Sequence, residues 1–82
     1  MSIQTMPPAD LLIEMLRKDF GVTSSITADT TFESLDLDSL VLVEFSVALT
    51  RRYGVEVDDD ELAEAGSVTG TLELLRSKGA EI

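Results

Sequence analysis

The chain contains no cysteine, no histidine and no tryptophan among its 82 residues. Without cysteine there can be no disulfide and no thiolate metal site, so packing alone must stabilise the fold. Without histidine, a Ser-His-Asp relay and histidine-bearing metal sites are also excluded. The composition therefore leaves little chemistry that this chain could perform unaided.

Long apolar segments are missing as well, because no run reaches the roughly 18 residues of a membrane-spanning helix. The first eight residues carry neither the basic region nor the apolar stretch of a signal peptide. These patterns predict a soluble, cytoplasmic, non-secreted protein that is monomeric and has no membrane partner. The length predicts a single domain over residues 1–82 with a thin core, and residues 1–6 are expected to be flexible.

Basic residues are scarce, since 6 lysines and arginines face 16 aspartates and glutamates for a net charge of −10. That charge opposes binding to nucleic acid and to anionic membrane surfaces. Residues 33–64 hold ten acids and two bases, so −8 of the −10 lies there. Any single acidic residue is explained by solvation of the protein surface. The cluster as a whole favours electrostatic steering of the protein toward basic partners.

Apolar spacing predicts helices with a long loop between the first two. A first helix is expected over Pro8–Phe20, with proline in its first turn and a glycine stop. Residues 22–37 show no sustained period and predict a loop that packs on itself or holds a turn of helix. Its buried anchors should be Ile26 and Phe32. The second helix is expected over Ser39–Tyr53, with a glycine stop.

Two shorter helices are predicted after it. Acidic side chains at its start favour a short third helix over Asp59–Ala65. Ser67 can cap a fourth helix, in which apolar residues recur at helical spacing. Gly70 inside that helix costs about 1 kcal/mol relative to alanine, so it should permit close approach of another helix. The fold class predicted is all-α, a four-helix bundle.

The sequence Leu-Asp-Leu-Asp-Ser-Leu at residues 35–40 stands directly before the apolar second helix. Asp38 can act as its N-cap, which stabilises a helix by about 1 kcal/mol. The first N–H groups of a helix lack internal partners, and the helix dipole leaves partial positive charge there. A phosphodiester formed on the hydroxyl of Ser39 would therefore be favoured by its surroundings.

These residues resemble the attachment motif of acyl carrier proteins, in which the serine of an Asp-Ser-Leu triplet receives 4′-phosphopantetheine. The similarity includes Leu35, Glu44 and residues 53–57 with the acidic run after them. It implies that Ser39 carries a phosphopantetheine arm whose thiol holds acyl groups as thioesters, and that Asp38 helps to bind the transferase's magnesium. The chain would then be a carrier and not an enzyme.

The resemblance also implies a fold of acyl-carrier type and a set of partners. These are a phosphopantetheinyl transferase, an acyl-loading ligase or acyltransferase, and ketosynthase-type or other acyl-processing enzymes. One departure is Asp36, where the family commonly has glycine; aspartate tolerates left-handed backbone at modest cost. Acyl carriers of fatty acid synthesis usually have an acid where Val41 stands, which favours polyketide or related assembly.

The second helix is apolar nearly all round, so some of its apolar side chains must be exposed. The residues expected to face inward are Leu42, Val43, Phe45, Leu49 and Tyr53. The residues expected to face outward and to dock partner enzymes are Leu40, Val41, Glu44, Val47 and Arg51. By resemblance, the residues expected to shelter an acyl chain are Phe45, Leu49 and Leu62.

The sequence is also compatible with other functions. A peptidyl or aminoacyl carrier shares the arm but usually shows Gly-Gly-x-Ser, whereas an acid directly precedes Ser39. An unmodified helical adaptor that binds proteins through an acidic second helix is a third possibility. A Ser-Lys pair would need Lys18 or Lys78 to reach the serine. EF-hand spacing fails because Leu40 occupies a ligand position, so no metal site is predicted.

Overall fold

The computed structural model describes residues 7–82, which form four helices. They are α1 (Pro8–Phe20), α2 (Ser39–Tyr53), α3 (Asp59–Ala65) and α4 (Val68–Ser77). The all-α prediction and the helix boundaries are confirmed. The predicted flexible start at residues 1–6 lies outside the described residues. Within residues 7–82 no helix has the length and apolar content needed to cross a bilayer.

Local hydrogen bonds explain where the later helices begin. At the start of α3, the Asp58 side chain accepts from the Glu61 N–H at 2.8 Å, and the Glu61 carboxylate accepts from the Asp58 N–H at 3.2 Å. This reciprocal pair satisfies two helix-terminal donors. Ser67 accepts from the Gly70 N–H at 3.1 Å and so caps α4 as predicted.

The core is small and lies around α2. The side chain of Phe45 is fully buried, and the rings of Phe20 and Phe32 approach it edge-on with centroids at 5.8 and 6.2 Å. Such aromatic pairs contribute about 0.5–1.5 kcal/mol beyond the area they bury. Leucines from every helix complete the core, and those with no exposed area are Leu12, Leu16, Leu49, Leu62 and Leu75.

The loop between α1 and α2 is fixed to the junction of α3 and α4. Ile26 and Phe32 are both buried, which confirms them as its anchors. The N–H of Phe32 donates to the carbonyl of Gly66 at 2.8 Å, and the N–H of Thr69 donates to the carbonyl of Ala28 at 3.0 Å. These contacts hold the end of the loop, and with it the start of α2, in a defined position.

Candidate functional site at the start of α2

Ser39 is the first residue of α2, and its side chain is exposed to solvent. Asp38 has extended backbone, with φ −83° and ψ 174°, and its Oδ1 accepts from the Val41 N–H at 2.9 Å. The carbonyl of Asp38 accepts from Leu42, the first bond of the helix proper, at 3.1 Å. Asp38 is therefore an N-cap, as the sequence predicts.

The start of α2 suits an anion attached to the serine. The N–H groups of Ser39 and Leu40 precede the first intrahelical bond, so neither has an acceptor within the helix. The peptide dipoles of a 15-residue helix add partial positive charge at this end. The residues present thus fit the phosphate of a phosphodiester on the Ser39 oxygen.

A compact turn presents the serine. The N–H of Leu35 donates to the carbonyl of Thr31 at 3.2 Å, and the N–H of Asp36 donates to the carbonyl of Glu33 at 3.0 Å. Asp36 has φ +58°, a left-handed conformation that aspartate adopts at modest cost. Leu35 is half-buried while Asp36 is exposed. The turn thus packs Leu35 against the core and leaves the carboxylate of Asp36 in solvent.

A strip of exposed apolar side chains begins beside the serine and continues along α2. We call it the α2 strip; it consists of Leu40, Val43 and Val47, which are 64, 40 and 48% exposed. Their spacing of three and four residues places them on one side of the helix. Glu44 and Arg51 are also exposed, as predicted.

Two valines of α2 differ from the expectation. Val43 was expected to face inward and is exposed, so that assignment was wrong. It lies two residues before Phe45, about 200° around the helix, which puts it opposite the core-facing ring. Val41 was expected on the outer side and is half-buried. Because it lies four residues before Phe45, it shares much of that buried face.

The three residues predicted to contact an acyl chain all lie in the closed core. Phe45, Leu49 and Leu62 have no exposed area. A surface groove of about 440 Å³ lies near the start of α2 instead. Sequence reasoning missed this groove, because its walls come from the loop, α2 and the α3 end and meet only in the folded chain. Its lining residues are Thr31, Phe32, Glu33, Leu37, Leu42, Ala63 and Gly66.

Charge is distributed unevenly around the site. Glu44 is the sole acid of α2, whereas Arg51 and Arg52 give that helix a net charge of +1. The acids cluster instead before Ser39 and at the start of α3. Glu61 there pairs with Lys78 at 2.8 Å, and hydrogen bonds from Lys78 and from the Asp58 backbone hold the pKa of Glu61 below its usual range. The described residues contain no group of three potential metal ligands.

The comparison with known proteins agrees with this geometry. The family model described as the phosphopantetheine attachment site matches residues 10–75. The chain is 40% identical over 70 residues to "Polyketide-8 synthase acyl carrier protein 2" of Streptomyces avermitilis, which covers 84% of this chain and 77% of that protein. No solved structure matched significantly.

Two further relatives bear the printed name "Acyl carrier protein". That of Rhodococcus erythropolis is 39% identical over 62 residues, covering 71% of this chain and 68% of the relative. That of Thermobifida fusca is 33% identical over 69 residues, covering 82% and 87% respectively. The chain belongs to the phosphopantetheine-attachment family as an acyl carrier protein, a non-catalytic carrier of acyl groups whose covalent cofactor is phosphopantetheine.

Proposed function

We propose that Ser39 is the residue to which phosphopantetheine is attached. The observation that carries the proposal is an exposed serine hydroxyl at the first position of α2, directly after a capping aspartate. Backbone N–H groups that have no acceptor within the helix, together with the helix dipole, favour a phosphate there. A serine in the middle of the helix would lack both contributions.

The attachment is a phosphoryl transfer with coenzyme A as donor. The Ser39 oxygen attacks the phosphorus next to the pantetheine, and its proton passes to a base of the transferase. The bond from that phosphorus to the pyrophosphate bridging oxygen breaks, and adenosine 3′,5′-bisphosphate leaves. The bound arm supplies a thiol that forms thioesters. The chain's own contribution is to hold the serine exposed and to stabilise the charge of the new phosphodiester.

Asp38 is proposed to have two functions. Its Oδ1 caps α2 by accepting from Val41. Its Oδ2 accepts no hydrogen bond from the described residues, and the side chain is exposed. This second oxygen is available to a magnesium ion brought by the transferase, since carboxylate oxygens are preferred magnesium ligands.

The α2 strip is proposed as the docking face for the transferase, for an acyl-loading ligase or acyltransferase, and for ketosynthase-type or other acyl-processing enzymes. Exposed apolar side chains beside a reactive position are typical of a transient interface. Glu44 and Arg51 border the strip, and Val41 contributes only its exposed part. The net positive charge of α2 differs from the acidic side chains expected in fatty acid synthesis and supports a polyketide or related pathway. The proposed location is the cytoplasm, where the donor coenzyme A is available.

Mass spectrometry tests the attachment. Incubation with a broad-specificity phosphopantetheinyl transferase and coenzyme A should add the mass of one phosphopantetheine to the wild type. Ser39→Ala should remain unmodified. Ser34→Ala is the matched control, because Ser34 is an exposed serine in the preceding turn, and it should be modified normally. A wild type that gains no mass, or a Ser39→Ala variant that does, would contradict the proposal.

A further inference from the structure

We propose that a crease between α1 and α2 is a further docking surface, occupied by a helix of a partner protein that places a carboxylate against Arg51 and Arg52. This surface, the α1–α2 crease, has a volume of about 840 Å³. Its walls include Leu11 and Met15 from α1 and Val47, Ala48, Arg51 and Arg52 from α2. The inference rests on the docking function proposed for the α2 strip, since Val47 belongs to both surfaces.

The floor of the crease is apolar and partly open to solvent. Leu12 and Leu16 of α1 have no exposed area. Leu11 and Met15, each one residue earlier, are half-buried. Because one residue turns a helix by about 100°, these two side chains lie beside the core and not within it. Val47 of α2 is 48% exposed. An apolar side chain of a partner would therefore find room between the two helices and remove their apolar surface from water.

The residue types in the crease are those that protein interfaces favour. Arginine, methionine and tyrosine are enriched at interfaces, whereas lysine is depleted. The crease contains two of the four arginines of the chain and its single tyrosine, Tyr53, but neither lysine. Methionine adapts its shape to different neighbours. Met15 is therefore suited to a surface that is covered for only part of the time.

The arginines of the crease have no acidic partner. The side chains of Arg51 and Arg52 are exposed, and neither lies within 4 Å of a carboxylate of residues 7–82. Glu81 also lines the crease but lies beyond that distance. Residues 1–6 contain no acid. A carboxylate on the occupant would thus meet guanidinium groups that are free to bind it in the bidentate geometry that arginine favours.

Acidic side chains lie toward the other end of the crease. The rings of Phe20 and Phe45 meet edge-on. Asp19 and Glu44 directly precede these residues and both line the crease, so they stand near that contact. Arg51 follows Glu44 by seven residues, about 10 Å along α2. The complementary helix therefore carries a basic and an acidic side chain two turns apart on one face, with an apolar side chain between them.

This order of charges makes the crease selective. A purely basic helix is attracted by the net charge of −10, but at the arginine end of the crease it meets charge of its own sign. A helix with an acid at that position avoids the repulsion and gains an ion pair. Because exposed ion pairs are weak, the crease contributes to the choice of partner more than to affinity.

Two synthetic peptides test the proposal on the unmodified carrier, so that the result does not depend on arm attachment. Each is an amphipathic helix of about 18 residues. The first carries lysine and glutamate two turns apart beside its apolar face, and the second carries lysine at both positions. We expect the mixed-charge peptide to shift the amide resonances of Leu11, Met15 and Ala48. Shifts confined to Leu40 and Val43, or no shifts, would overturn the inference, whereas docking at the α2 strip is decided separately by transfer kinetics.

Charge reversal of the arginines provides the contrast. The double variant Arg51→Glu with Arg52→Glu should raise the Kd of the mixed-charge peptide, relative to that of the all-lysine peptide, by about fivefold or more. Arg17→Glu with Arg76→Glu is the matched control, because it makes the same change in net charge at two exposed arginines outside the crease. It should leave the ratio of the two Kd values unchanged. Equal ratios in the two double variants would show that the crease does not recognise the carboxylate.

Discussion

The backbone carbonyl of Ala65 lies against Gly70, so that α3 and α4 touch where they meet. A Cβ at Gly70 would overlap the carbonyl oxygen of Ala65 and stand 2.9 Å from its carbonyl carbon. Both atoms belong to the main chain and cannot rotate away. The absence of a side chain at this position is therefore required by the packing of α3, which is the helix beside the groove.

We expect Gly70→Ala to lower the free energy of unfolding by about 2 kcal/mol or more, from overpacking against main-chain atoms. At an open helical position the same change would raise it by about 1 kcal/mol. Gly54→Ala is the control: no atom of residues 7–82 lies within 4 Å of a Cβ there, and φ is +71°, so left-handed strain of about 1 kcal/mol applies. Urea denaturation would measure both. A stabilised Gly70→Ala would contradict the packing argument.

The two proposed functions of Asp38 can be separated by substitution. Asp38→Ala removes the cap and should cost about 1 kcal/mol of unfolding free energy. Asp38→Asn keeps an acceptor for the Val41 N–H but loses the charge offered to magnesium. It should retain most of the stability while lowering kcat/KM for arm transfer by about tenfold or more, the effect of losing roughly 1.4 kcal/mol. Equal transfer rates for wild type and Asp38→Asn would rule out the magnesium function.

Val47→Asp should weaken partner docking without unfolding the chain, because the side chain is 48% exposed. A charge placed in an apolar contact should reduce kcat/KM for arm transfer by about tenfold, since anchor residues carry over 1 kcal/mol each. Thr23→Asp introduces the same charge at an exposed site of the α1–α2 loop and should leave the rate unchanged. Circular dichroism should show equal helicity. Unchanged rates for Val47→Asp would exclude the α2 strip as the transferase's docking face.

Glu61 predicts a specific pH dependence. Its pKa lies below the ordinary value of 4.5 because Lys78 and the Asp58 N–H stabilise the carboxylate. A carboxyl group with a lowered folded-state pKa stabilises the fold above its unfolded pKa, and this contribution is lost as pH falls through the folded value. The stability advantage of wild type over Glu61→Gln should therefore be constant above about pH 5.5 and shrink below about 4.5.

Denaturation at several pH values would measure this difference. Glutamine can still accept from the Asp58 N–H, so the comparison isolates the charge. Glu64→Gln, an exposed site on the same helix with no ion pair to any residue of 7–82, is the control for removing one carboxylate from α3. If the free energy of unfolding of wild type exceeded that of Glu61→Gln by a margin that grew as pH fell, the result would contradict the stabilising effect of this ion pair.

Sequence could predict the helix boundaries because their determinants are local. Asp38 and Ser67 cap the helices they precede, and Gly54 ends α2 in left-handed backbone at φ +71°. The inner face of α2 was less predictable. With apolar residues on all sides, that helix has little periodic signal, and Val43 was assigned to the wrong side. Only the packing of Phe45 against two other rings shows which side is buried.

The groove could not be predicted from the sequence, for a different reason. Leu37 and Ala63 are far apart in the chain, and their proximity depends on how the loop is fastened to the end of α3. Conversely, the close approach at Gly70 was predicted, because a glycine inside a helix is costly unless packing needs it. Local rules thus placed Ser39 at the start of α2, while the residues around it depended on tertiary contacts.

The charges around the two ends of α2 differ in arrangement. Asp36 and Asp38 stand at the serine end, and residues 19–50 contain no lysine or arginine. At the opposite end Arg51 and Arg52 lie close to the acids that begin α3, because Thr50 is bonded to Val57. A cationic enzyme surface therefore meets unopposed negative charge at the serine end, and its electric field favours approach with the hydroxyl facing the enzyme.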